Sequence, residues 1–281
     1  MLAMASLPPG SSDLMDVVAG LKAAGRPFVL ATVVRTVAAT AAKAGAKAVI
    51  DETGRITGGW IGGGCARGAV LKAARDALAD GGTRLISVQP EDLLEAHGVK
   101  AGETREGVAY ARSMCPSRGT MDIFIEPVLP RPMLAVMGSS PVAVALAELG
   151  GRFGYEIAVC APAEDQAAFA TADRRIEGYA LAVESGAHRF VVVATQGRGD
   201  EAALKAALSA EADYRAFVGS RAKMAALRER LVAQGIDAHL VDTVRAPAGL
   251  DIGAITPQEI ALSILAEITL LRRRGQRGEP D

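Results

Sequence analysis

The chain has 281 residues, half of them hydrophobic, and its 31 Lys and Arg residues against 32 Asp and Glu residues give a formal charge of −1. This length is enough for two domains with ordinary hydrophobic cores, and the balanced charge argues against a nucleic-acid partner. No apolar stretch has the length of a membrane span, and residues 1–10 lack the basic and apolar regions of a signal peptide, which together predict a cytoplasmic protein.

The first part of the chain combines apolar patterns with a basic segment. After a helix over residues 14–21, residues 28–34 form a nearly continuous apolar, β-branched run that predicts a buried strand. The segment 35–47 is predicted to be a loop, and it carries the cations Arg35, Lys43 and Lys47. A loop whose charged side chains are solvated is the simplest explanation of these three cations. Alternatively, these cations face the glycine turn that follows and hold an anionic ligand there.

The glycine turn is the run Gly62-Gly63-Gly64-Cys65, which lies between a predicted strand over residues 55–61 and a predicted helix. Without β-carbons, its N–H groups can converge on an anion at the positive end of the helix dipole. The same field favours the thiolate form of Cys65, which is a nucleophile and a ligand for soft metals. The alternative interpretation of the run 62–65 is purely structural: a tight turn followed by a half-buried cysteine. The helix is indicated by residues at spacings of three and four: Val70, Ala73, Ala74 and Ala77.

A second cysteine, Cys115, lies in a turn immediately before an alternating strand pattern over residues 121–127. Such a cysteine is commonly structural, but it is also the second candidate catalytic thiol beside Cys65. With Cys160, the three cysteines form no CxxC pair and no zinc-type cluster, which predicts free thiols. Prolines at positions 127, 130 and 132 indicate a border between an N-terminal α/β domain, 1–130, and a C-terminal domain, 131–281.

The second domain alternates strand and helix patterns, which predicts a Rossmann-like, doubly wound parallel sheet. Its first turn, Gly138-Ser139-Ser140, is an incomplete dinucleotide fingerprint, because Ser140 stands where a glycine would let the backbone approach a pyrophosphate. Glu164 or Asp165 would suit a ribose only if the second strand ended later than its pattern indicates. NAD(P) binding is therefore disfavoured. The alternative function is an NAD(P)-dependent oxidoreductase with Tyr155 or Gln196 near the nicotinamide.

Later turns of this domain carry polar groups suited to a phosphate. The turn after the third predicted strand contains Gln196, and a further turn places Arg221 and Lys223 near a helix N-terminus. A capped helix with solvated charges explains the second of these turns equally well. The last helix pattern begins with a capping box in which Thr256 is the N-cap and Glu259 is the N3 residue.

Together these motifs resemble the XdhC/CoxI family of molybdenum-hydroxylase maturation factors. The resemblance rests on the glycine turn with Cys65, on the Cys115 turn and on the runs 219–223 and 249–261. It implies a cytoplasmic, homodimeric accessory protein that binds molybdenum cofactor and assists its sulfuration, metal-centre assembly or insertion into a client, xanthine dehydrogenase or carbon monoxide dehydrogenase. A sulfur donor such as a cysteine desulfurase is a further implied partner. This function is that of a non-catalytic cofactor chaperone rather than of an enzyme.

The chain departs from the family pattern at Ser140, at Gln196 and directly after the glycine turn, where Ala66 and Arg67 replace a common acidic residue. The positive charge of Arg67 suits a more phosphorylated ligand, the cytosine dinucleotide form of molybdopterin. Cys65 is the expected metal ligand. We expect the cofactor-binding set to combine the glycine turn, two nearby cations and turn residues of the second domain: Gly62, Gly63, Gly64, Cys65, Arg67, Lys43, Gly138, Ser139, Ser140, Gln196, Arg221 and Lys223.

Overall fold

The computed structural model describes residues 13–114, 118–181 and 188–273, without the side chain of Cys65. The chain divides into two compact units, Met1–Pro130 and Arg131–Asp281. Each unit combines helices with one sheet, so the predicted α/β fold class is confirmed. None of the described helices has the length and apolar character that are needed to cross a membrane.

The first unit is built around a mixed sheet with the strand order β3-β2-β1-β7-β4-β6-β5. Neighbouring strands are antiparallel except for β4 and β6, which are parallel. The described strands are β1 (Phe28–Val37), β2 (Lys47–Asp51), β3 (Ile56–Gly59), β4 (Arg84–Gln89), β5 (Thr104–Arg105), β6 (Val108–Arg112) and β7 (Thr120–Val128). The described helices are α1 (Leu14–Ala23), α2 (Gly64–Asp80) and α3 (Glu91–Ala96).

Helix α2 packs on one face of this sheet, against β1, β4 and β7. Its buried stripe is the one that the spacing predicted, and three of the four residues are alanines, which let the helix approach the sheet closely. The helix ends at Asp80, and its C-cap Gly81 has a left-handed φ of +71°, which suits glycine. The opposite face of the sheet carries a different set of residues, since side chains alternate along each strand.

The second unit is a sheet with the strand order β10-β9-β8-β11-β12-β13, in which every pair is parallel. The predicted doubly wound, Rossmann-like arrangement is therefore confirmed. Its described strands are β8 (Met133–Met137), β9 (Glu156–Ala161), β10 (Arg174–Glu177), β11 (Arg189–Val193), β12 (Tyr214–Phe217) and β13 (Val244–Arg245). Its described helices are α4 (Pro141–Arg152), a 3₁₀ helix (Ala163–Ala168), α5 (Asp200–Ser209), α6 (Arg221–Ala233), α7 (Ala238–Val241) and α8 (Pro257–Arg273).

The capping box predicted for the last helix is present. Glu259 Oε2 accepts the backbone N–H of Thr256 at 2.8 Å, and Thr256 Oγ1 accepts the N–H of Glu259 at 3.3 Å. This reciprocal pair satisfies donors at the start of α8 and fixes where the helix begins.

One prediction about local structure was wrong, and two strands were missed. Strand β1 runs to Val37, so Arg35 lies in a strand and not in a loop; it is paired there with Asp122 of β7. Strands β6 and β10 were not predicted, because they are half buried and lack the apolar runs that indicate buried strands.

The position suggested for Tyr155 beside a nicotinamide was also wrong. Tyr155 directly precedes β9, at the amino ends of the parallel strands, and only 1% of it is exposed. Its ring packs edge-on against Phe190, and its hydroxyl accepts a hydrogen bond from Arg272 at 3.1 Å. Ligands of such sheets bind at the carboxyl ends of the strands, so Tyr155 is a core residue.

Candidate functional site

Three segments of the first unit pack together at the glycine turn: the loop 38–46, the turn itself and the start of β7. Gly62 is buried with φ +110°, and a β-carbon there would lie 3.3 Å from Met121 Cε. A β-carbon at Gly119 would collide with the carbonyl oxygen of Ala39. Both glycines are therefore required for the three segments to meet.

Gly63 and Gly64, in contrast, are exposed, and apart from their chain neighbours no heavy atom of the described residues lies within 4 Å of a β-carbon built at either position. Gly63 is the N-cap of α2, so no side chain caps the helix, and its first turn contains no acidic residue. Every other described helix has a side-chain N-cap or an acidic residue in its first turn. The N–H groups at the start of α2 therefore remain available to an external anion.

Two of the predicted cations keep their charge available in this unit. Lys43 and Arg67 are exposed, and neither forms an ion pair with the described residues. Arg35 instead donates to Asp122 at 2.5 Å, and Lys47 donates to Thr32 Oγ1 at 2.9 Å. Of the three cations of segment 35–47, Arg35 is paired with a carboxylate, Lys47 is half-buried and bonded to a hydroxyl, and Lys43 is the one that is exposed without such a partner among the described residues.

The cysteines fall into two groups. The two candidate thiols form the first group. Cys65 is the second residue of α2, but its side chain is not among the described parts of the structure. Cys115 lies outside the described residues. Cys160 is fully buried in β9, and burial raises the pKa of its thiol to about 11, so it is not a reactive thiolate. Within the described ranges, no group of three or more His, Cys, Asp or Glu residues is placed to hold a metal ion.

In the second unit, the predicted residues of the first turn lie at the carboxyl end of β8. A β-carbon at Gly138, which has φ +114°, would lie 2.6 Å from the carbonyl oxygen of Ala194, so the turn packs directly against the end of β11. Ser140 is the N-cap of α4, and its Oγ accepts the N–H of Ala143 at 3.2 Å. This side chain occupies the helix N-terminus on which a pyrophosphate would bind in a dinucleotide site.

The carboxylate of Asp165 connects three neighbouring loops at this edge by hydrogen bonds. Asp165 Oδ2 accepts hydrogen bonds from Ser139 Oγ and from Arg198 Nη2, both at 2.5 Å. The Ser139 hydroxyl and the Arg198 guanidinium hold the pKa of Asp165 below its ordinary value. Asp165 lies in the 3₁₀ helix after β9, near the position of a ribose-binding acid, but its acceptor oxygen is already engaged by the protein's own donors.

A second carboxylate, Asp200, organises the turn between β11 and α5. It accepts hydrogen bonds from Thr195 Oγ1 and from the N–H of Gly197, and Lys223 Nζ lies 2.6 Å from its Oδ2. Burial raises the pKa of Asp200, but the bonds from these three partners outweigh that effect and lower it below 3.8. The charge of Lys223 is therefore neutralised by the Asp200 carboxylate.

The two remaining predicted residues of this edge are exposed. Gln196 has a left-handed φ of +51°, and Arg221 is the first residue of α6 and forms no ion pair with the described residues. Arg221 is thus the predicted cation of this edge that keeps its charge available.

Sequence reasoning missed Asp165, Arg198 and Asp200 as the residues that organise this edge. The acidic residue that directly follows a Gly-Arg-Gly turn at the start of a helix was a usable signal for Asp200. No comparable signal existed for Asp165, because its contacts depend on where three separate loops end.

The fold and the two sites define a two-unit α/β protein with a Rossmann-type second unit. A family model described as the XdhC Rossmann domain matches residues 134–268, and one described as the XdhC and CoxI family matches residues 21–89. The chain therefore belongs to the XdhC and CoxI family.

Two curated relatives and one solved structure are similar to the chain. Uncharacterized protein YqeB of Escherichia coli (strain K12) is 30% identical over 274 residues, which are 95% of this chain and 47% of YqeB. A probable xanthine dehydrogenase subunit of Bacillus subtilis (strain 168) is 31% identical over 163 residues, 55% of this chain and 47% of that protein. The chain thus spans about half the length of these relatives. A crystal structure of a xanthine dehydrogenase from Bacillus halodurans has 18% identity and a TM-score of 0.45, with 96% and 98% of the two chains covered.

The Asp200 network gives a pH-dependent prediction. Asp200→Asn is expected to lower the free energy of unfolding at about pH 7 by about 2 kcal/mol, because Lys223 then faces a neutral amide. The folded-state pKa of Asp200 lies below 3.8, so the carboxylate's stabilisation is complete above that pH and is lost as the pH falls through the folded pKa. Urea denaturation at about pH 7 and about pH 3 should show the difference shrinking at the lower pH.

Glu229→Gln removes an exposed carboxylate from α6 and is the control, with an expected change of less than about 0.5 kcal/mol. A loss for Asp200→Asn that is equal at both pH values would contradict the assigned network.

Proposed function

We propose that the chain is an accessory factor of a molybdenum hydroxylase of the xanthine dehydrogenase kind, and that it binds the molybdenum cofactor at the glycine turn before α2. Membership of the XdhC and CoxI family supports the accessory role, and the name of the Bacillus subtilis relative supports this class of partner. The observation that carries the cofactor site is the N-terminus of α2, which has neither a side-chain cap nor an acidic residue in its first turn.

The described residues fit a ligand that carries a phosphate, as molybdopterin does. Gly63 and Gly64 leave open space in front of the helix N-terminus, so a phosphate can approach the backbone N–H groups closely. Lys43 and Arg67 supply positive charge that no described carboxylate neutralises. When bound, the cofactor would supply the molybdenum centre that the client enzyme needs.

We assign Cys65 as the thiol that meets the molybdenum or its sulfur ligand, and Cys115 as the second candidate thiol. Cys65 is the second residue of α2, directly after the glycines that are assigned to the phosphate. A helix N-terminus favours the thiolate form, which is the form that binds soft metals. The two functions of the turn, anion binding and thiol chemistry, would then use the same helix dipole.

We further propose that the factor is a homodimeric cofactor chaperone of the cytosol rather than an enzyme. It would protect the cofactor until a client such as xanthine dehydrogenase or carbon monoxide dehydrogenase takes it, with sulfur supplied by a donor such as a cysteine desulfurase. The second unit would act as a scaffold without NAD(P), which is supported by the Ser140 cap on the helix where a pyrophosphate would bind.

Substitution of Gly63 tests the site. Gly63→Asp should lower the cofactor content of the purified protein at least about tenfold, because a carboxylate N-cap occupies the free N–H groups and repels a phosphate. The same change should raise the free energy of unfolding by about 0.5 kcal/mol, since it caps α2. Gly63→Ala is the matched control. It leaves the N–H groups free in open space and should retain the cofactor.

The measurement is molybdenum and oxidised pterin per chain in freshly purified full-length protein. Equal cofactor content in Gly63→Asp and Gly63→Ala would contradict the assigned phosphate site. A wild-type protein that carries neither molybdenum nor pterin would contradict the proposed function itself.

Cys65→Ser in the same assay tests the thiol. Full retention of molybdenum together with normal activation of the client would remove the role assigned to Cys65.

Arg67 tests which form of the cofactor binds. If the ligand is the cytosine dinucleotide form, Arg67→Glu should weaken it several-fold more than it weakens molybdopterin, because the dinucleotide carries the additional phosphate. Titration of the apoprotein with each form measures this, and the difference should fall as salt is raised. An unchanged affinity for the dinucleotide form would remove the preference.

A further inference from the structure

We propose that the first unit carries a second binding site, for a small flat monocarboxylate, on the face of the sheet opposite α2. A cavity of about 460 Å³ lies there between β4, β6, β7 and the segment that carries His97. Ile86 and Ile123 face α2, so the alternating residues Ser87 and Asp122 face the cavity. The site is therefore separated by the sheet from α2 and is independent of the function proposed above.

The floor of the cavity is a chain of hydrogen bonds whose directions can be assigned. The carboxylate of Asp122 accepts from Arg35 Nε at 2.5 Å and from Ser87 Oγ at 2.6 Å. Because Ser87 donates its hydrogen to Asp122, Ser87 Oγ accepts from Gln89 Nε2, at 2.8 Å. Gln89 Oε1 is then the atom that lies 3.0 Å from His97 Nδ1.

This chain fixes the tautomer of His97. Since Gln89 Oε1 is an acceptor, Nδ1 of His97 carries the hydrogen, and in the neutral ring Nε2 keeps its lone pair. Ser87 and Gln89 are each only 3% exposed, so two buried polar side chains hold the ring of an exposed histidine in one orientation. Such an arrangement presents a hydrogen-bond acceptor to a ligand N–H or O–H group.

Two guanidinium groups line the cavity from different strands. Arg35 uses Nε for Asp122, which leaves its terminal N–H groups, and Arg105 has one long bond, at 3.4 Å, to the carbonyl oxygen of His97. Both can donate to an oxyanion. Glu106 also lines the cavity, so apart from His97 the lining has two positive and two negative charges, which favours a monoanion over a multiply charged ligand.

The remaining walls suit a flat apolar body. They are formed by Leu85, Val99, Val108 and the ring of Tyr110. The volume lies within the range of small-molecule pockets. The occupant that these groups fit is a ring with a carboxylate at one end, for the guanidinium groups, and a hydroxyl or amine donor at the other end, for His97.

The test uses the full-length protein and 4-hydroxybenzoate as the probe, in calorimetric titrations. Arg105→Gln should weaken the probe at least about tenfold, whereas Arg75→Gln, the same change at an exposed position of α2, should leave its affinity unchanged. 4-Hydroxybenzamide, which lacks the charge, should bind weakly to wild type and should not respond to Arg105→Gln.

His97→Phe supplies the second comparison, because it removes the acceptor. It should weaken 4-hydroxybenzoate several-fold but leave benzoate, which has no donor, unchanged. The chain has three histidines, so the ring ¹⁵N signals of His97 can be assigned, and Nε2 should shift on adding the probe. Absence of binding at about 10 mM probe, an equal loss in Arg75→Gln, or an unmoved His97 signal would each overturn the proposal.

Discussion

The first four N–H groups of an α-helix have no partner within the helix, and the way each helix satisfies them organises this molecule. Helices α4 and α6 are capped by Ser140 and Ser220, and α8 begins with a capping box. Helix α2 begins at Gly64 after Gly63, with no side-chain acceptor and no acidic residue in its first turn. It is also the helix whose alanine stripe packs closely on the first sheet. A helix end whose N–H groups have no side-chain acceptor is well suited to an anionic ligand.

The carboxyl edge of the second unit shows the opposite arrangement. Asp165 is bound by Ser139 and Arg198, and Asp200 is bound by Lys223, so both carboxylates of this edge are neutralised by the protein's own cations, and of the cations predicted there Arg221 alone stays unpaired among the described residues. An edge that is closed by its own ion pairs is a poor place for a dinucleotide, although its fold is the one that dinucleotides use. The two units thus differ at their helix N-termini: α2 of the first unit has no side-chain cap and no acidic residue in its first turn, whereas each described helix of the second unit has one or the other.

Much of this architecture could be predicted because it is encoded locally. The α2 stripe and the capping box at Thr256 depend on residues a few positions apart. The half-buried strands β6 and β10 lack such a local pattern. The polar network of the first sheet was not predicted because its members are distant in sequence: Ser87 meets Asp122 only after β4 and β7 have paired. The glycine turn was predicted as an anion site from its residue types, but its missing cap became evident only by comparison with the other helices.

In the function proposed above, the N–H groups at the start of α2 hold the cofactor's phosphate. The most direct measurement is the amide chemical shifts of ¹⁵N-labelled full-length protein during titration with molybdenum cofactor. We predict that the amides of Gly64 and Ala66 shift among the most strongly in the chain, because a phosphate accepts hydrogen bonds from the first turn of α2. Saturable binding with these amides unmoved, and the largest shifts at the Ser140 or Asp200 turn instead, would contradict it.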